Sequence, residues 1–163
     1  PLNKSICKEN LEVIAEILNK NNITFWLSEG TALGALREGD FIDHDDDVDL
    51  GLWYKDFKRF NKIIPKLIEK GFTVDNELLN NTFICLRRNN EKIDIDFAGK
   101  NIDCMACKTK NANCKSCNPM LKYLENMSYI NFLGNNYLCP NTDYLIYLYG
   151  KDWNITKKEK FQN

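Results

Sequence analysis

Two short runs in this chain carry aspartates two residues apart: Asp47-Val48-Asp49 within "DHDDDVDLGLW" and Asp94-Ile95-Asp96 within "KIDIDFA". In a β-strand residues i and i+2 share a face, so each run presents a carboxylate pair on one side and apolar side chains on the other. Seven acidic residues crowd the twelve positions from Glu38 to Asp49. Neighbouring like charges repel by about 4 kcal/mol at ~4 Å for an effective dielectric of ~20. A solvated loop needs no apolar residue at every second position, whereas Val48, Leu50 and Leu52 demand burial of the very strand that carries Asp47 and Asp49. The charges are anchored to the core, and a bound cation is the expected offset.

Calcium in an EF-hand loop is excluded. Asp45, Asp47, Asp49 and Asp56 match its first, third, fifth and twelfth positions, but Leu50 stands where the sharp turn needs glycine. Mg²⁺ (or Mn²⁺) suits better, because it takes one or two carboxylates and completes its octahedron with water and phosphate oxygens. Asp94 or Asp96 from a neighbouring strand would supply the third ligand of a phosphoryl-transfer site. Asp45/Asp47 and Asp47/Asp49 are both pairs spaced by one residue. Asp47 and Asp49 are preferred, since only they have the hydrophobic spacer and follower of a buried strand, and Asp45 becomes a loop neighbour binding metal through water. Asp94 and Asp96 share a face and can exchange roles. Gly30-Thr31 predicts a tight turn into a helix whose first N–H groups point at a phosphate. His44, the sole histidine, reads as an exposed flank of the acidic run.

Cys104, Cys107, Cys114 and Cys117 form two CxxC knuckles, a spacing that brings four thiolates to one structural Zn²⁺ and leaves no open coordination position. The total of seven cysteines is odd, which argues against a complete disulfide framework. Cys7, Cys85 and Cys139 read as small core residues.

The elements that must position these groups follow from periodicity. Apolar residues at three- and four-residue steps predict a helix from Ser5, as N-cap, to Asn19. A strand is expected over 23–28, broken by Gly30 before a helical turn ending near Gly39. The 47–52 strand follows, then a helix bent or split at Pro65 and capped by Gly71. Residues 82–88 and 92–98 read as a hairpin around "NNE", and the cysteine block as an irregular insertion at about 101–118. Two apolar helix-like stretches, "PMLKYLENMSYINFLG" and one ending in "YLIYLYGKDW", complete the chain.

The 163 residues suit one domain, 1–163, and the net charge of −1 gives no global field for nucleic acid or membrane. No apolar run approaches the ~20 residues of a membrane span. A cytoplasmic location is the expectation for the chain as given, and a lumenal one if a targeting segment precedes its initial proline.

The motifs together resemble the nucleotidyltransferase superfamily that includes DNA polymerase β, and more narrowly its LicD and fukutin group. Trp26, Gly30, Thr31, Leu33, Gly34 and Arg37 match the group's W-x-x-x-G-T-x-L-G-x-x-R. Ile42, Asp45, Asp46, Asp47, Asp49 and Gly51 match its acidic strand, and "IDI" (93–95) and "YGKDW" (149–153) fall where the group has a third carboxylate and a terminal element. Asp43-His44 replaces the group's Pro-Trp. The resemblance implies an α+β fold with a mixed sheet flanked by helices, carrying a small zinc-binding insertion. It also implies transfer of a phospho-alcohol, such as phosphocholine or ribitol phosphate, from a CDP-activated donor to a glycan hydroxyl. Asp47, Asp49 and Asp94 would hold Mg²⁺, Gly30 and Thr31 would hold phosphate, and Arg37 would neutralise a phosphate oxygen or pair with Asp40 or Asp43 on the surface. The alternatives are transfer of a nucleotide from a nucleoside triphosphate and a zinc-stabilised binding module without catalysis.

Overall fold

The computed structural model describes residues 1–75, 82–99 and 120–156, with the backbone of 103–104 and 109–110. Its centre is a five-stranded sheet in the order β1 (Phe25–Leu27), β2 (Asp47–Trp53), β5 (Glu91–Ala98), β4 (Phe83–Arg88), β3 (Thr73–Val74). Only β2 and β5 run parallel, so the sheet is mixed.

On one face the alternation buries Val48, Leu50 and Leu52 of β2 and Ile93, Ile95 and Phe97 of β5. Helix α3 (Phe57–Glu69) lies on that face, with Phe57 and Phe60 packed edge-on against Phe97 at 5.2 and 5.4 Å. Helix α1 (Lys4–Lys20) joins the same core through Cys7, Leu11, Ile14 and Leu18. Its fully buried Asn10 is satisfied across the gap, donating to the Arg88 carbonyl and accepting from the Arg88 guanidinium, both at 2.7 Å. The opposite face is left for polar side chains of β2 and β5 and is bordered by α2 (Glu29–Arg37), on which α5 (Thr142–Tyr149) packs.

Several expectations are corrected. Helix α1 starts one residue earlier than expected, and its N-cap is Asn3, whose side chain accepts the Ile6 N–H at 3.3 Å, not Ser5. Gly30 does not break the strand; it is the second residue of α2. Pro65 does not split the chain into two elements: α3 runs through it, with Pro65 exposed and Ile63 and Leu67 on either side buried and holding the helix to the core. The stretch 119–134 is not one helix. It gives a single turn, α4 (Leu121–Leu124), then a hairpin of β8 (Ser128–Phe132) and β9 (Asn135–Cys139). The turn places Leu133 and Gly134 at φ +52° and +90°, and in the hairpin Phe132 meets Phe41 edge-on at 5.2 Å.

The hairpin of β4 and β5 forms as its sequence predicts, with Asn89 and Asn90 both at positive φ. In the cysteine block two short strands, β6 (Asp103–Cys104) and β7 (Thr109–Lys110), pair antiparallel. Cys107, Cys114 and Cys117, and the side chain of Cys104, lie outside the described residues.

Candidate active site

The site is built where β1 turns into α2 beside β2. Ser28 extends the β1–β2 ladder by donating its N–H to the Asp49 carbonyl at 3.1 Å, and the chain then enters α2. Glu29, the first residue of that helix, sits at φ +37°, a region a non-glycine residue occupies only when its surroundings hold it there. The holding group is the buried Tyr144 of α5, whose hydroxyl accepts the Glu29 N–H at 3.1 Å and shares a 3.0 Å hydrogen bond with Ser28 Oγ.

Asp49 is then clasped from α2. Its carboxylate accepts the Gly30 N–H at 3.1 Å, and its own N–H goes to the Thr31 hydroxyl at 2.8 Å. The first N–H groups of α2 were expected to face a phosphate. Two are instead spent, one on Tyr144 and one on Asp49, so the anion at this helix end is the protein's own carboxylate. Gly30 has a second reason to lack a side chain: a Cβ there would collide with Asp45 Oδ2 and lie 3.2 Å from Asp49 Oδ2.

One carboxylate oxygen each from Asp45, Asp47 and Asp49 lies within 4.8 Å of the other two. The structure thus brings both candidate pairs of the acidic run into one group, with Asp45 a full member. The Asp45 loop is pinned by the Leu2 N–H on the Asp45 carbonyl at 3.1 Å, and by Lys4, which bridges Asp40 and Asp43 at 2.9 and 2.8 Å. Asp94 is the direct neighbour of Asp49 in the β2–β5 register, and Asp96 stands opposite Gly51 on the same face. Asp94 Oδ1 is buried without a hydrogen-bond partner, and Asp47 is met by Lys92 at 3.3 Å.

Burial, and after it the crowding of like charge, raises the proton affinity of Asp45, Asp49, Asp94 and Asp96. Asp49 is pushed up to about 8, first by burial and then by the charges of Asp47, Glu29 and Asp45, against the opposing pull of the Gly30 N–H. Asp45 is raised by burial and by Asp47. Asp94 is raised chiefly by burial, with the Cys85 thiol working the other way. Asp96 reaches solvent, yet the protein around it and the charges of Glu29 and Asp94 push it up to about 6. Glu29, also open to solvent at its outer atoms, is raised by the surrounding protein and by Asp47 and Asp94.

These residues fit a hard divalent cation. The donors are all carboxylate oxygens, three already converge, and a fourth carries an unsatisfied buried oxygen beside them.

Trp26 and Gly51 are two halves of one contact. They are opposite each other in the β1–β2 register, the indole is buried on the strand where Gly51 has no side chain, and it packs on Trp53 at 4.8 Å.

Beyond Gly30 and Asp45 opens a cavity of about 560 Å³ between α2, the acidic loop and the turn after α5, with Leu33, Arg37, Tyr149, Trp153 and Ile155 among its walls. Arg37 does not pair with Asp40 or Asp43. Its guanidinium is bound by Glu38 at 2.6 Å and donates to the Trp153 carbonyl at 3.4 Å, so it ties the turn to α2 and is spent on the cavity wall. His44 is exposed and lines the same cavity. Sequence reading missed Glu29, Tyr144 and Lys92. Lys92 was accessible from alternation, lying two residues before Asp94 on the same strand face; Tyr144 lies 116 residues from Ser28 and carried no local signal.

The fold is similar to that of solved nucleotidyltransferases. Lincosamide antibiotic adenylyltransferase LnuA, solved with lincomycin bound, superposes with a TM-score of 0.58 at 17% identity, covering 94% of this chain and 91% of that one. Antibiotic-resistance factor ANT(2'')-Ia gives 0.59 at 18%, covering 90% and 71%. At such identities the likeness is one of fold. The model of the LicD/FKTN/FKRP nucleotidyltransferase domain matches residues 22–142, and the chain belongs to that family. Among its relatives, a Rickettsia prowazekii (strain Madrid E) protein is 42% identical over 62 residues, 38% of this chain and 23% of that protein. Human ribitol-5-phosphate transferase FKTN is 47% identical over 51 residues, 31% of this chain and 11% of FKTN. Mouse ribitol 5-phosphate transferase FKRP is 39% identical over 68 residues, 42% of this chain and 13% of FKRP. The alignments span less than a quarter of each relative.

Proposed function

We propose that this chain is a metal-dependent phosphotransferase domain that moves a phospho-alcohol, of the ribitol phosphate or phosphocholine type, from a CDP-activated donor to a glycan hydroxyl. The observation that carries the reading is the convergence of Asp45, Asp47 and Asp49, clasped by α2 and flanked by Asp94, in a member of the LicD/FKTN/FKRP family.

Asp45, Asp47, Asp49 and Asp94 would hold Mg²⁺ or Mn²⁺, which would supply positive charge against the diphosphate and the departing CMP. The chain's own residues do the rest by position. Gly30 leaves room for two carboxylates to meet, Thr31 fixes the backbone of Asp49, and Tyr144 fixes the turn from which both act. Lys92 holds Asp47 in place, and Asp96 lies within reach of the donor along β5. By the spacing of their sequence, Cys104, Cys107, Cys114 and Cys117 hold a structural Zn²⁺, for which metal analysis should return one zinc per chain.

Incubation with Mg²⁺, CDP-ribitol or CDP-choline and a glycan acceptor should release CMP, and Asp47→Asn or Asp49→Asn should abolish release without unfolding the protein. Full turnover in either variant would refute the assignment. A second reading, nucleotidyl transfer from a nucleoside triphosphate, is favoured by the likeness to adenylyltransferases, and release of pyrophosphate in place of CMP would establish it.

A further inference from the structure

The cavity between α2 and the turn after α5 has walls unlike those of a phosphate site. It is lined by four carboxylates, Glu38, Asp43, Asp45 and Asp152, of which Glu38 is paired with the one lining guanidinium, Arg37, and Asp43 with Lys4 behind the wall. A diphosphate entering it would meet net negative potential. Beside the polar His44 and Thr156, the remaining walls are mostly apolar or aromatic, and Tyr149 and Ile155 keep about two fifths of their surface exposed, at 40% and 43%. Exposed apolar groups gathered in a concavity, edged with hydrogen-bond acceptors, mark a ligand site.

We propose that this cavity is the acceptor subsite and that it takes an uncharged sugar ring. This deepens the transferase reading given above and rests on it. A pyranose or furanose matches both kinds of wall: its hydroxyls donate to carboxylates, which only accept, and its C–H faces lie against the Trp153 and Tyr149 rings. The volume of about 560 Å³ falls within the roughly 300–1,000 Å³ of small-molecule sites and holds one or two rings. Asp45 belongs to the cavity and to the carboxylate group at once, so a hydroxyl bound there stands beside the reacting centre. The donor's phosphates are then left to the β5 side of the carboxylate group, where Lys92 is paired with Asp47.

The test is direct binding by saturation-transfer NMR, with methyl β-D-galactopyranoside, methyl α-D-glucopyranoside and N-acetylgalactosamine as probes and cytidine and choline as counter-probes. Wild type and Asp49→Asn should both bind at least one sugar without added metal. Trp153→Ala should weaken that binding about fivefold to tenfold, and Trp153→Phe should largely restore it. Tyr149→Ala serves as the second variant if circular dichroism shows that Trp153→Ala is unfolded. Sugar binding that Trp153→Ala and Tyr149→Ala leave unchanged, binding of cytidine or choline in the cavity in place of sugars, or no binding of any probe would each overturn the proposal. Sugar binding lost in Trp153→Ala, with no CMP release by wild type, would refute the transferase reading and leave a sugar site that is not an acceptor subsite, so the two failures are distinguishable.

Discussion

The Thr31 hydroxyl accepts the Asp49 N–H at 2.8 Å, so a side chain from a helix completes the hydrogen bonding of a strand residue that also carries a site carboxylate. Thr31 is 1% exposed and its hydroxyl has no route to water. Thr31→Val keeps the shape and leaves the Asp49 N–H unsatisfied, at a cost of roughly 1–3 kcal/mol. Thermal unfolding should show that loss, and transfer should fall further than stability alone explains, because Asp49 is no longer fixed. Thr31→Ser should recover most of both.

Gly30→Ala separates site from fold. The residue is helical and not at positive φ, so alanine should stabilise α2 by up to ~1 kcal/mol in an empty context. Its Cβ, however, collides with the Asp45 carboxylate. The expected result is metal-free stability near wild type together with loss of the thermal stabilisation that Mg²⁺ gives. Unchanged Mg²⁺ stabilisation would remove Gly30 from the site.

The raised carboxyls predict a pH dependence of known sign. Asp49 moves from an ordinary 3.8 to about 8 and Asp96 to about 6, so the folded state binds these protons more tightly than the unfolded chain. Their contribution to stability is fully present below about pH 4 and is lost as pH rises through about 6 and about 8. The metal-free melting temperature should fall between about pH 5 and about pH 8.5. Mg²⁺ should reverse the fall and release protons on binding, since ligands must be deprotonated. Calorimetry in buffers of different ionisation heat measures that release. In Asp49→Asn the metal-free profile should flatten at its alkaline end.

Gly51→Ala should be far more harmful than an exposed strand glycine would suggest. The added methyl meets the Trp26 indole, and overpacking of a closed core costs typically ~1–3 kcal/mol. Trp26 packs at a tilt against Trp53, so near-ultraviolet dichroism should change along with the melting temperature.

What was legible in the chain was what alternation encodes. Val48, Leu50 and Leu52 gave the β2 face and Ile93, Ile95 and Phe97 that of β5, and with them the side on which Asp47, Asp49 and Asp94 stand. The Trp26–Gly51 contact was present as two motif letters, but its cause needed the β1–β2 register. The role of Thr31 was hidden because it depends on α2 beginning at Glu29, which puts the hydroxyl beside β2. Asp45 was assigned to a loop, correctly, but loop membership says nothing of distance. Its entry into the carboxylate group follows from the missing side chain at Gly30. The 119–134 stretch misled because its apolar residues satisfy a helical spacing, and only the positive φ values at Leu133 and Gly134 turn it into a hairpin.

The parallel pairing of β2 with β5 has a temporal consequence. Between Asp49 and Asp94 the chain must lay down α3, the sheet's far edge and the Asn89–Asn90 reversal before the two carboxylates become neighbours. A half-assembled chain therefore carries the Asp45–Asp49 run without the carboxylate of Asp94 beside it. Ion affinity should be acquired late and abruptly, making it a reporter of finished folding.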